Sequence, residues 1–146
     1  CGGTAPAVAE LTTGCDLPIS STIGYLYLTS DGSVLYRSPQ NMKGFQFVVD
    51  GAISTSSVGV SGGDADDADY TQYSQYNTTD GFLVMGFSMT GGIIGDADND
   101  ANTDDGGCGT LTTLSLDFTS TGLSGLVFAG VVTNSQINFE YYCSGN

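Results

Sequence analysis

The chain has no histidine and no tryptophan, and only two basic residues, Arg37 and Lys43. Without imidazole there is no Ser-His-Asp or Cys-His nucleophile pair and no histidine metal ligand. A Schiff-base lysine would rest on Lys43 alone. Sixteen Asp and Glu against two cations give a formal net charge of −14. That charge sets the chain against duplex nucleic acid and anionic membranes, because both are held by Lys and Arg. Long apolar runs are missing too. The longest, Phe82 to Phe87 and Leu126 to Val132, fall far short of the roughly 20 residues of a membrane-spanning helix. A glycosidase needs two carboxyls about 5–9.5 Å apart across a cleft, and no pair of acids stands out for those roles. The chain is expected not to be an enzyme.

What remains is a Gly-, Ser- and Thr-rich chain of 146 residues, one domain's length. Its four cysteines, Cys1, Cys15, Cys108 and Cys143, form no CxxC pair. A thiolate zinc site or redox motif is therefore not indicated, and an even count in such a composition reads as two disulfides in a secreted protein. Three pairings are open. Cys1–Cys15 with Cys108–Cys143 is favoured, since it closes a short N-terminal loop and ties two late strands; Cys15–Cys143 is the rival. Cys1 is read as the start of a chain whose leader has been removed. With Gly2 and Gly3 behind it, Cys1 also looks like the lipid-bearing cysteine of bacterial lipoproteins.

The strand signals begin at Ile23. Tyr25–Leu28 and Val34–Tyr36 flank an Asp31-Gly32 turn and predict a hairpin. Further strands are expected at Gly44–Gly51, Val58–Val60, Phe82–Met89, Thr110–Phe118, Leu126–Val132 and Ile137–Tyr142. Phe82–Met89 is expected to be buried on both faces. No amphipathic helix of ten or more residues is evident. The expected fold is all-β, an antiparallel β-sandwich. Residues 1–20 are set apart as an N-terminal segment and residues 21–146 as the sandwich domain. In that segment Ala5, Ala7, Ala9 and Leu11 alternate along Thr4–Thr12, a strand of small residues with no local hairpin partner. Such a strand could add to the open sheet edge of a second copy and grow a filament.

Nine of the sixteen acids lie in two short stretches, Asp64–Asp69 and Asp96–Asp105. In the second, Asp96, Asp98, Asp100, Asn102 and Asp104 recur at spacing two between small residues. Ca²⁺ takes six to eight oxygens, and carboxylates so placed can converge on it. An EF-hand is excluded, because its glycine position holds Ala101 and its bidentate glutamate position holds Gly107. A looser calcium site is expected there, and a second at Asp64, Asp66 and Asp69; the alternative is a solvated acidic loop. Tyr70, Tyr73 and Tyr76, spaced by three, suggest a glycan-stacking platform; the alternatives are a helical turn within Ala68–Tyr76 covering one end of the sandwich, or a subunit contact. Asn77-Thr78-Thr79 is an N-glycosylation sequon.

Gly44-Phe45-Gln46-Phe47, Val84-Met85-Gly86-Phe87-Ser88 and Gly109-Thr110-Leu111-Thr112-Thr113-Leu114, taken in succession, resemble the strands of cohesin-like modules of secreted bacterial proteins. The likeness covers about residues 23–132. It implies a jelly-roll-like sandwich and an extracellular assembly or adhesion role. Two functions are therefore expected: a homo-polymerising filament subunit, or a calcium-stabilised module that binds glycans or another protein.

Overall fold

The computed structural model describes residues 11–51, 58–77, 81–95, 106–131 and 135–142. Its strands are β1 (Ile23–Leu28), β2 (Ser33–Ser38), β3 (Met42–Asp50), β4 (Val58–Ser61), β5 (Tyr70–Asn77), β6 (Gly81–Ser88), β7 (Gly107–Leu116), β8 (Gly122–Gly130) and β9 (Gln136–Tyr141). A helical turn, α1 (Gly63–Asp67), and a 3-10 turn at Gly14–Asp16 are the helical elements among the described residues. The chain is all-β, as its turn chemistry and β-branched and aromatic content predict.

The strands form one mixed sheet in the order β4-β7-β2-β1-β9-β8-β3-β6-β5, which curls until it nearly closes into a barrel. β9 is the joint between two halves. Its first residues, Gln136 and Ile137, pair antiparallel with Ala129 and Phe128 of β8. Its later residues, Asn138–Tyr141, pair in parallel with Ile23–Leu26 of β1. This corrects the purely antiparallel sandwich expected from sequence. β9 starts at the end of the barrel where β1 also starts, so the two strands run in the same direction. The two outermost strands meet through side chains. The Ser74 hydroxyl of β5 donates to the Val58 carbonyl of β4 at 2.5 Å, and Gln72 Nε2 donates to the Gly62 carbonyl at 3.4 Å.

One apolar core fills the barrel, drawn from every strand: Leu26, Val34, Tyr36, Phe45, Phe47, Val49, Val58, Tyr70, Phe82, Val84, Leu111, Leu114, Leu123, Phe128 and Ile137 among others. Alternation explains most of it, since successive side chains of a strand point to opposite faces. Phe45, Phe47 and Val49 point inward from β3; Phe82 and Val84 do so from β6. Two glycines make room for aromatic rings. A Cβ on Gly86 would lie 2.3 Å from the Phe45 ring, and one on Gly24 would lie 2.4 Å from the Phe139 ring. Each glycine sits directly opposite that ring in the ladder.

Two local expectations change. Phe82–Met89 is buried on one face only: Phe82 and Val84 are inside, whereas Phe87 and Met89 are exposed. And the helical turn expected within Ala68–Tyr76 falls earlier, at α1, while Tyr70–Asn77 extends into β5 and pairs along its length with β6. The β-preferring Tyr and Thr residues there win through cross-strand contacts, and the Tyr70 hydroxyl, donating to the Met42 carbonyl at 3.1 Å, anchors the strand's start.

Candidate functional site

The disulfide in the described structure joins Cys15 to Cys108. It corrects both pairings weighed from sequence. The 3-10 turn and Leu17 after it lie against β2 and β7. Gly14 is wedged against the Tyr36 and Gly109 backbones, so close that a Cβ would meet the Tyr36 carbonyl at 2.1 Å. Arg37 Nη1 donates to the Cys15 carbonyl at 2.7 Å and to the Leu17 carbonyl at 3.3 Å. Leu17 and Leu35 are both buried, yet outside the main core cluster. Cys1 and Cys143 lie outside the described residues, as do Ala5, Ala7 and Ala9. Leu11 is half-buried and belongs to no strand.

The first acidic stretch does not gather its carboxylates. Asp64 Oδ2 accepts a 2.6 Å hydrogen bond from the Tyr36 hydroxyl, while Asp66 and Asp69 are exposed. Burial, and then Asp64, push the Tyr36 phenol well above its ordinary value. Among the described residues no group of three or more His, Cys, Asp or Glu is placed to hold a metal ion, and the carboxylates of Asp64, Asp66 and Asp69 are not drawn into one cluster. The reason is the α1 turn, which buries Ala65 and leaves Asp64 to Tyr36. Asp96, Asp98, Asp100, Asn102 and Asp104 lie outside the described residues. The stem on either side is fixed: Asn41 Oδ1 accepts from the Gly106 amide at 2.9 Å, and Met42 and Ile94 form a β-bridge. Calcium there rests on the sequence, and melting in Ca²⁺ against chelator is its test.

The three tyrosines of β5 do not share a face. Tyr70 is buried, Tyr76 packs against the Phe82 ring at 5.2 Å, and Tyr73 points to the opposite side of the sheet. Spacing by three suits a helix; on a strand it alternates. Asn77 is the last residue of β5, and Thr78 and Thr79 lie outside the described residues.

Tyr73 instead opens onto the outer face of β8-β3-β6-β5, where the ladders place three rows of neighbours. The middle row is Tyr73, Met85, Gln46 and Val127; on one side run Thr71, Phe87, Gly44 and Ala129, and on the other Gln75, Leu83, Val48 and Ser124. The Tyr73 hydroxyl reaches the Met85 sulfur at 2.9 Å, and its ring meets the Phe87 ring edge-on at 6.3 Å. Tyr73 is 39% exposed, Phe87 37% and Val127 44%, with Met89 at 81% just beyond β6. None of these rows holds a charged residue. Asp50, bonded by the Ser124 hydroxyl at 2.6 Å, lies at one end of the face. Lys43 and Asp69 lie toward the other. Sequence reading missed this patch, although the signal was present: β6 is apolar at outward as well as inward positions.

No family model, characterised protein or solved structure matches the chain.

Proposed function

We propose that the chain is a protein-docking module of an extracellular assembly, of the kind that the cohesin-like resemblance implies. The supporting observation is the uncharged apolar patch of Tyr73, Met85, Phe87 and Val127 on a four-stranded outer face. A contiguous exposed apolar patch rimmed by polar residues marks an interaction surface. Aromatic side chains and methionine are the types enriched at interface centres. The occupant is a protein with an apolar centre and a basic rim. A net charge of −14 steers such a partner in and repels a second copy of this chain. The Cys15–Cys108 disulfide suits an oxidising, extracellular setting. Among the described residues no helix is long and apolar enough to cross a membrane.

Affinity capture from the native extracellular fraction tests the reading, with the wild-type chain, Phe87→Asp and a control of equal charge, Ser115→Asp on β7. The expected result is a basic partner held by wild type and Ser115→Asp, lost with Phe87→Asp and released by salt, protecting β3 and β6 amides from hydrogen exchange. Equal capture by all three chains overturns it. So does capture of nothing but further copies of the chain, which would favour the filament reading.

A further inference from the structure

At the far end of the barrel, where β9 has left β8 for β1, the sheet opens into a cleft of about 410 Å³, within the size range of small-molecule sites. Leu28, Leu114, Leu116, Phe118 and Tyr141 supply its apolar lining. Two turns supply its polar lining: Thr29–Gly32 between β1 and β2, and Thr119–Gly122 before β8. The cleft is distinct from the outer docking face and independent of that reading.

Both turns are rigid before any ligand arrives. In the first, the Thr29 amide donates to the Ser33 carbonyl at 2.9 Å, and the Thr29 hydroxyl bonds Asp31. The Gly32 carbonyl accepts from Leu114 N–H at 2.7 Å, and a Cβ on Gly32 would collide with the Leu114 carbonyl at 2.1 Å. In the second, the Ser120 hydroxyl donates to the Gly122 carbonyl at 3.1 Å, and Thr121 N–H donates to the Asp50 carbonyl at 3.1 Å. The two lining rings are backed by others: Phe118 stacks on Phe82 at 6.2 Å and Tyr141 on Tyr27 at 6.3 Å.

The lining selects its ligand class by what it contains. Asp31 is its one charged residue, so an anion finds no counter-charge, and a metal ion finds a single carboxylate where it needs several. Purely apolar ligands would displace water from the polar edge that the two turns give the cleft and offer no hydrogen bond in its place. A neutral sugar has what the cleft complements: C–H faces for aromatic rings and many hydroxyls for hydroxyl and carboxylate partners. We propose that this cleft binds one unit of a neutral saccharide, its ring against Phe118 and Tyr141 and its hydroxyls toward the two turns and Asp31.

The test is a titration of the full chain, followed by amide NMR, with methyl β-glucoside, cellobiose, galactose and N-acetylglucosamine. Choline and sulfate serve as charged controls. Thr121 and Asp31 are exposed, so Thr121→Arg and Asp31→Asn should fold as wild type does, which the amide spectrum itself verifies. The expected result is that at least one saccharide shifts amides in residues 28–32 and 118–122, and that either substitution weakens it about tenfold. The proposal is overturned if no saccharide moves those amides. It is also overturned if choline or sulfate moves them as strongly, or if Thr121→Arg leaves the titration unchanged.

Discussion

The two outer faces of the barrel are treated differently by the same chain. Over β2 and β7, residues 14–17 lie down as a cover: Cys15 is bonded to Cys108, Arg37 holds the Cys15 and Leu17 carbonyls, and Leu17 and Leu35 are 2% and 1% exposed. Over β3 and β6 there is no such cover among the described residues, and Tyr73, Phe87 and Val127 remain open to solvent. Each half carries apolar residues on its outward side. One set is removed from water, and the other set stays open to solvent. An outward leucine such as Leu35 therefore belongs to a covered face, whereas an outward Phe87 belongs to the open face proposed for docking, and only what lies above each distinguishes them.

Removing the cover should have the largest effect. The disulfide spans a sequence separation of 93 residues, so Cys108→Ser is expected to cost roughly 2–5 kcal/mol, measured by urea melts. Hydrogen exchange should rise first in β2 and β7, where the cover is lost. An unchanged midpoint would mean that the hydrogen bonds of Arg37 hold the cover by themselves.

Next come substitutions that separate the inner from the outer side of the uncovered half. Gly86→Ala drives a methyl into the Phe45 ring and should cost about 1–3 kcal/mol. Gly44→Ala, on the outward side with its nearest neighbour at 3.6 Å, should change stability by less than about 0.5 kcal/mol. Equal losses in thermal melts would show that the outer face is packed after all.

Tyr36→Phe leaves the Asp64 carboxylate without its 2.6 Å donor and should cost roughly 1–2 kcal/mol. The same buried phenol sets a pH dependence. Tyr36 and Tyr70 both have folded values raised above the ordinary 10.0 by burial. Their contribution is full below pH 10 and is lost as the pH rises above it, because only the unfolded chain ionises them there. Phenolate absorbance should show Tyr36 and Tyr70 held back until alkaline unfolding. Asp31 shifts the other way, lowered chiefly by the Thr29 hydroxyl bond. Its contribution is present above the ordinary carboxylate value and is lost as the pH falls through the lowered one.

The smallest effect on stability belongs to the face proposed for docking. Phe87→Asp and Val127→Asp lie at exposed positions and should shift the urea midpoint by less than about 1 kcal/mol, while abolishing capture of the partner.

Much of the fold was legible along the chain. The Asp31-Gly32 hairpin, β3, β4 and the late strands fall where alternation and turn residues put them. Harder to read were stretches whose pattern suits two structures. Tyr70, Tyr73 and Tyr76 fit a helical face as well as a strand, and the pairing of β5 with β6 decided between them. The apolar run of β6 could not reveal by itself whether its second face was buried, since a run buried on both faces and one exposed on one side have the same composition. Of the candidate site, the residue types were visible, but the rows joining Tyr73 to Met85 and Val127 exist only across the ladders.

The sequence by itself determined the all-β class, the strongly acidic net charge, and most strand positions, because these depend on local alternation, turn chemistry and composition. Tertiary structure decided the parallel pairing of β1 with β9, the Cys15–Cys108 bond and the difference between a covered and an open outer face. Each of these brings together residues dozens of positions apart, and such proximity is set by how the sheet curls, which no local pattern encodes.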